Sequence, residues 1–378
     1  MKVVYDENMP AIPQLLGPEV ETLAANGRNL DASQLRDAEA LLVRSVTQVD
    51  ADLLAGTPVR YVGSATSGID HVDTQWLSTA GIAFAHASGA NANSVVEYVL
   101  SAIAACDDFL ERLLDGGRAG IVGYGHVGRA LGRRLDALDI DWCASDPWLE
   151  RGDVPRPAQL DALLDCDVIC LHPELTHESP WPSYHLFDRS RLDRLGAGQL
   201  LINASRGPVI DGRALLQRLQ SARPPVTVLD VWEGEPQVDP ALLQRVRIGT
   251  AHIAGYSLDS KLRASAQVVA GLQRYLGWPS VGAWAEHTAT IWQLLPGGGF
   301  AGRLRALLLQ SSPIERDDNL LRQTVLGGDA TGQGFDRLRR EYAERRELAG
   351  SRFTVTTGDA EAVRLIQALD GVPVTEGG

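Results

Sequence analysis

The sequence predicts an α/β protein: two domains built on parallel sheets, followed by a small third α/β segment. Two series of short apolar runs carry this expectation. Each alternates with polar, helix-spaced stretches, and strands that alternate with helices pair in parallel. Length and composition allow it, since 378 residues at 44% hydrophobic content provide for two or three cores.

In the first series, Lys2–Tyr5, Ala40–Val43, Tyr61–Gly63 and Ile82–Phe84 read as strands, with helices over 32–38 and 73–80. A long helix is expected from Asn91 through Val95–Ile103 to Leu114, where Asp115-Gly116-Gly117 stops it. It serves as the link to the second domain. There Ala119–Val122, Ile140–Ala144, Val168–Leu171, Leu200–Asn203, Val226–Leu229 and Arg247–Thr250 read as strands, the pattern of a doubly wound dinucleotide-binding domain. A helix over Leu258–Leu276 returns the chain to the first domain. The stretch 277–299, rich in Gly, Pro and Trp, reads as a boundary. Beyond it Leu304–Leu309, a charged helix over Phe335–Leu348 and a strand at Phe353–Thr356 form the small C-terminal domain, with a loose tail past Val372. The expected domains are 1–92 with 256–283, then 93–255, then 284–378.

A net charge of −13 opposes nucleic-acid binding, which needs a basic face. No apolar run approaches the roughly 20 residues that span a bilayer, and Met1–Glu7 has no signal-peptide pattern. Neither a nucleic-acid nor a membrane partner is expected. The four cysteines, Cys106, Cys143, Cys166 and Cys170, form no CxxC pair and read as small apolar residues in a reducing cytoplasm. No cluster has metal-ligand spacing, so no metal is expected.

Gly123-Tyr124-Gly125-His126-Val127-Gly128 follows the first strand of the second series and opens a helix. Gly123 permits the tight turn, Gly125 admits a pyrophosphate to the backbone, and Gly128 lets helix and strand pack closely. The start of the helix, at His126 and Val127, offers amide hydrogens to the phosphates. Asp146, 18 residues beyond Gly128, is placed to accept hydrogen bonds from the ribose hydroxyls and to repel a 2′-phosphate. With no arginine beside it, it favours NAD over NADP.

Three further groups each follow a candidate strand: Arg206, Asp230 with Glu235, and His252. A guanidinium grips a carboxylate with two hydrogen bonds. An imidazole takes the hydroxyl proton as hydride leaves, and a carboxylate orients that imidazole and stabilises its charged form. These groups suit oxidation of a 2-hydroxy acid, with Asp230 near the nicotinamide end of the cofactor.

These motifs resemble the D-isomer-specific 2-hydroxyacid dehydrogenases, over nearly the whole chain. The stretches carrying the resemblance include Asp6–Pro10, Leu42–Thr47, Gly68–Asp73, Asp230–Pro236, His252–Ser257 and Phe335–Arg346. The last matches a subgroup with an added C-terminal domain that acts on a phosphorylated 2-hydroxy acid. The resemblance implies a flavodoxin-like substrate domain, a Rossmann-like NAD-binding domain and a C-terminal domain that mediates homodimerisation. It implies Arg206 and Glu235 as active-site residues and His252 as proton donor and acceptor. Asp146, Asp230 and Gly255 would bind NAD, and Ser45, Thr66 and Tyr256 the substrate. Arg44, beside Ser45 at a strand end, joins the expected substrate contacts. After the third strand of the NAD domain the family pattern is His-x-Pro-Leu-Thr. Here it is His172-Pro173-Glu174-Leu175-Thr176, so Pro173 stands where a threonine contacts NAD. Arg345 and Arg346 fall on the expected charged helix, whose face should be solvated. The alternatives are another member of the family, such as one acting on 3-phosphoglycerate, and a non-catalytic NAD-sensing protein.

Overall fold

The computed structural model describes residues 1–279, 291–294, 298–329 and 331–375. The chain divides into two compact units, one of Met1–Asn91 with Ser257–Thr288, the other of Ala92–Tyr256 with Ala289–Gly378.

The first unit is a parallel sheet of five strands: β1 Lys2–Asp6, β2 Glu21–Ala25, β3 Ala40–Val43, β4 Tyr61–Ser64 and β5 Ala83–His86, in the order β2-β1-β3-β4-β5. β3 and β4 are buried along their whole length. Strands covered on both faces read as continuous apolar runs, which is why the sequence reveals them. β2 escaped the reading because it is a largely exposed edge strand, without such a run. The helix expected over 32–38 is only the 3-10 turn Ala32–Leu35, capped by Asp31. Helix Leu258–Leu276 is as expected; it lies along β4 and β5, where the Tyr61 hydroxyl donates to the Val268 carbonyl at 3.0 Å.

The second unit holds six parallel strands: β6 Arg118–Val122, β7 Asp141–Ser145, β8 Val168–Leu171, β9 Leu200–Asn203, β10 Val226–Leu229 and β11 Ile248–Gly249, in the order β11-β10-β9-β8-β6-β7. The chain leaves β6 for β7 on one side and returns to β8 on the other. β6 and β8 therefore flank a topological switch point, where ligands of such sheets sit. The helix expected over 91–114 is two, Ala92–Ala105 and Phe109–Leu114. Asp107 lies between them at φ 40°, a left-handed conformation that ends a right-handed helix. The first of them, Ala92–Ala105, opens the second unit. It is buried from Ser94 to Ala105, and its Val99 and Ile103 share one apolar cluster with Leu131 and Leu135 of helix His126–Ala137 and with Leu304, Leu308 and Phe353 of the C-terminal segment.

That segment comprises helices Gly299–Ser311, Ile314–Leu326, Gln333–Arg340 and Ala360–Ala368, with a three-stranded parallel sheet of β12 Ile291–Gln293, β13 Arg352–Val355 and β14 Val372–Thr375. β14 replaces the loose tail expected past Val372. The boundary expected at 277–299 falls largely outside the described residues. The charged helix expected over 335–348 is Gln333–Arg340, and beyond it Arg345, Glu347 and Leu348 are buried. Arg345 is 5% exposed and donates to the carbonyls of Ser94, Ala254 and Tyr256 and to the Ser312 hydroxyl at 3.0–3.1 Å. It is a buried brace, not part of a solvated face. Beside it the Glu97 carboxyl accepts the Leu348 and Ala349 amides, and burial together with the charge of Glu347 pushes its pKa up.

Candidate active site

Six loops leave the carboxyl edge of the second sheet, and the chemistry sits on them. After β6, Gly123 takes φ 88°. A Cβ there would lie 2.6 Å from the Pro173 nitrogen, so the turn and the chain leaving β8 touch backbone to backbone. A Cβ on Gly128 would lie 2.2 Å from the Gly123 carbonyl oxygen, whereas one on Gly125 would meet nothing within 4 Å. The first and third glycines are thus required by packing, and the second leaves open backbone. Gly125 caps helix His126–Ala137, which carries His126 and Val127 in its first turn. At the end of β7, the Asp146 carboxylate accepts the Tyr124 amide at 2.8 Å and the Trp148 amide at 3.0 Å, which fixes the acid beside the turn.

His172 follows β8, and both of its ring nitrogens are enclosed without a partner among the described residues. Burial lowers its pKa from 6.5 to about 4. The unfolded imidazole protonates near the ordinary value and the folded one only near 4. Folding stability from this group is therefore intact above pH 6.5 and falls by about 3 kcal/mol as the pH drops toward 4. Thermal melts of His172→Gln across that window should show a flatter pH dependence than the parent; identical slopes would contradict this.

After β10 and β11 come the carboxylates and the imidazole. The Asp230 carboxylate is 1% exposed. It accepts the Ile253 amide at 2.8 Å, the Ala254 amide at 2.9 Å and the Thr250 hydroxyl at 2.6 Å. Tyr98 in turn donates to that hydroxyl. The Asp230 carbonyl accepts the His252 amide at 2.7 Å. Together these bonds hold His252 at φ 54°, a backbone conformation that a side-chain-bearing residue keeps only when its surroundings enforce it. The imidazole is thereby presented to Glu235: His252 Nδ1 lies 2.5 Å from Glu235 Oε1, while Oε2 accepts the Trp232 amide at 3.0 Å. Burial raises the Glu235 pKa, but the charge and hydrogen bond of His252, the Trp232 amide and the charge of Arg339 outweigh it, so the carboxyl sits below its usual range. A carboxylate at Nδ1 keeps the proton there and leaves Nε2 as the acceptor.

Arg206 follows β9. The Asn203 side chain spans its turn, bonding the Ser205 amide and the Arg206 carbonyl. At the next residue, a Cβ on Gly207 would lie 2.0 Å from the Trp232 carbonyl carbon, so the Arg206 loop presses on the loop that carries Glu235. Tyr256 lies beyond Gly255, its ring edge-on to Tyr342 at 6.2 Å.

In the first unit, Ser45 is exposed in a turn. Thr66 donates to the Gly68 carbonyl and meets the Ser64 hydroxyl at 2.7 Å. Arg44 is ion-paired through Nε with Asp6 at 2.9 Å. Among the described residues, His185, Asp211 and Glu233 bring ligand atoms within 4.8 Å of one another. They already have protein partners: His185 with Glu233 at 2.6 Å, and Glu233 and Asp211 with the Gly212 and Ala214 amides.

The family model described as "D-isomer specific 2-hydroxyacid dehydrogenase, NAD binding domain" matches residues 93–254, and one described as a domain of unknown function (DUF3410) matches 299–370. A curated erythronate-4-phosphate dehydrogenase from Klebsiella pneumoniae is 43% identical, covering 98% of this chain and 97% of its own. The chain belongs to the erythronate-4-phosphate dehydrogenase family of D-isomer-specific 2-hydroxyacid dehydrogenases. Solved structures share the family's scaffold. The TT0316 protein from Thermus thermophilus aligns with TM-score 0.64 at 22% identity, over 74% of this chain and 99% of its own. D-lactate dehydrogenase from Aquifex aeolicus aligns with TM-score 0.61 at 21% identity, over 73% and 96%.

The structure adds roles the motifs did not expose. Asp230 appears in the sequence as a cofactor contact, yet its oxygens clamp the loop that carries His252. Gly207 was visible only as the neighbour of Arg206. Arg345 braces the Ala254 and Tyr256 carbonyls from a distant segment. None of these roles has a periodic or motif signal, because each depends on where a distant loop lies.

Proposed function

We propose that this chain catalyses the NAD-dependent oxidation of 4-phospho-D-erythronate to (R)-3-hydroxy-2-oxo-4-phosphooxybutanoate, a step of pyridoxal 5′-phosphate (vitamin B6) biosynthesis. The observation that carries the chemistry is the Glu235–His252 pair at 2.5 Å, on the sheet edge that also bears Arg206 and the open glycine turn. The 43% identity to an erythronate-4-phosphate dehydrogenase over 98% of the chain supports the substrate.

NAD, when bound, accepts the hydride from C2. The residues proposed to hold it are Gly123, Gly125, His126, Val127, Gly128, Asp146, Pro173, Asp230 and Gly255. Pro173 can offer only its carbonyl, having no amide hydrogen. His252 Nε2 takes the C2 hydroxyl proton as the carbonyl forms, and the Glu235 carboxylate stabilises the resulting imidazolium. Arg206 grips the substrate carboxylate and favours the growing carbonyl dipole. Ser45, Thr66, Tyr256 and Arg44 are proposed as further substrate contacts; for Arg44 this requires sharing its guanidinium with Asp6.

A homodimer formed through the C-terminal segment is part of this reading, supported by the exposed Leu320, Leu326 and Val372 there. So is a cytoplasmic location, in keeping with the absence, among the described residues, of any helix long and apolar enough to cross a membrane.

Steady-state rates of NADH formation with 4-phospho-D-erythronate, D-erythronate and 3-phosphoglycerate test the reading. The first should exceed the others in kcat/KM by about a hundredfold, a contrast that one charge-assisted phosphate grip supplies. Preference for 3-phosphoglycerate, or indifference to the phosphate, would refute the substrate.

A further inference from the structure

We propose that Arg339, on helix Gln333–Arg340 of the C-terminal segment, is the anion-binding residue that selects a phosphorylated substrate. The inference rests on the function proposed above and assigns one of its specificity determinants. The Arg339 guanidinium carbon lies over the Tyr256 ring, 5.7 Å from its centre. Its charge reaches Glu235, the carboxylate that holds His252. Its Nε is enclosed and has no hydrogen-bond partner among the described residues. An enclosed guanidinium N–H without an acceptor is costly, and here it belongs to the group whose charge acts on Glu235.

The proposed substrate carries two anions at opposite ends. Arg206, on the β9 loop, is matched to the carboxylate that must sit beside C2. The phosphate then calls for a second guanidinium, since its oxygens accept two parallel N–H bonds from an arginine. Two neighbouring cations do not fit this role. Arg340 is exposed and lies 3.5 Å from Glu341, and Arg345 is consumed by backbone carbonyls. Arg339 also lies outside the NAD-binding match and inside the 299–370 segment. The added domain would therefore supply the selectivity, and the dehydrogenase scaffold the chemistry.

The test compares kcat/KM for 4-phospho-D-erythronate and D-erythronate in the parent, Arg339→Gln, Arg339→Lys and Arg340→Gln, with NADH binding by fluorescence as the check on folding. In Arg339→Gln the preference for the phosphorylated substrate should shrink about 30-fold or more, as expected for loss of a bidentate charged contact. Arg339→Lys, which keeps the charge but not the fork, should lose about tenfold, and Arg340→Gln should leave the ratio unchanged. If the glutamine variant fails to bind NADH, the lysine variant decides alone. An unchanged ratio at position 339, or an equal loss with both substrates, overturns the inference and makes Arg339 a positioning residue for Tyr256. A parent enzyme without any preference refutes the proposed function itself, and the inference with it.

Discussion

His252→Gln should lower kcat for the 2-hydroxy acid about a thousandfold, equivalent to about 4 kcal/mol of barrier, while NADH still binds. Glutamine preserves size and can hydrogen-bond Glu235, but it cannot accept the hydroxyl proton. The loop should survive the change, because its left-handed turn is held through the backbone by Asp230 and not through the imidazole. Glu235→Gln should cost less, about a hundredfold. The imidazole would keep its place and lose only the charge that stabilises its protonated form. Rates measured at saturating cofactor, beside NADH titrations, separate a chemical defect from a binding defect. Activity of His252→Gln within a few-fold of the parent would remove this residue from the proton transfer.

Gly207→Ala should be among the most damaging single-methyl changes in the chain. The new Cβ would meet the Trp232 carbonyl carbon at 2.0 Å, its oxygen at 2.1 Å and the Glu233 nitrogen at 2.4 Å. All three are backbone atoms, so no side chain can swing aside. The loops carrying Arg206 and Glu235 must separate, and about 3 kcal/mol or more of stability should be lost by overpacking. A displacement of that size also misplaces reacting groups, for which about a hundredfold in kcat/KM is expected. Gly125→Ala is the contrasting case. Its Cβ meets nothing within 4 Å, so the denaturation midpoint should hold while NAD affinity falls. Equal stability for the two variants would contradict the packing explanation.

Much of the architecture could be read from the chain, for a physical reason. Central strands such as β3, β4, β8 and β9 are buried on both faces and announce themselves as apolar runs. What failed were features set by the partners of a segment. β2 is an exposed edge. The break at Asp107 is one backbone angle. The run after Arg340 abandons its helical composition because Arg345 finds four buried acceptors elsewhere. The site divides in the same way. Arg206, Glu235 and His252 stand out because each charged group follows an apolar strand. The clamp of Asp230 on the His252 loop, the contact at Gly207 and the placement of Arg339 against Tyr256 exist only once distant loops meet.

Identification of the product decides whether oxidation takes place at C2 of the phosphorylated acid. The chain, NAD and 4-phospho-D-erythronate are incubated together, any carbonyl formed is trapped as a hydrazone, and its position and mass are determined beside the NADH produced. One carbonyl at C2 is expected for each NADH, with the carboxylate and phosphate retained. A carbonyl at C3, release of phosphate, or turnover confined to a different hydroxy acid would contradict it.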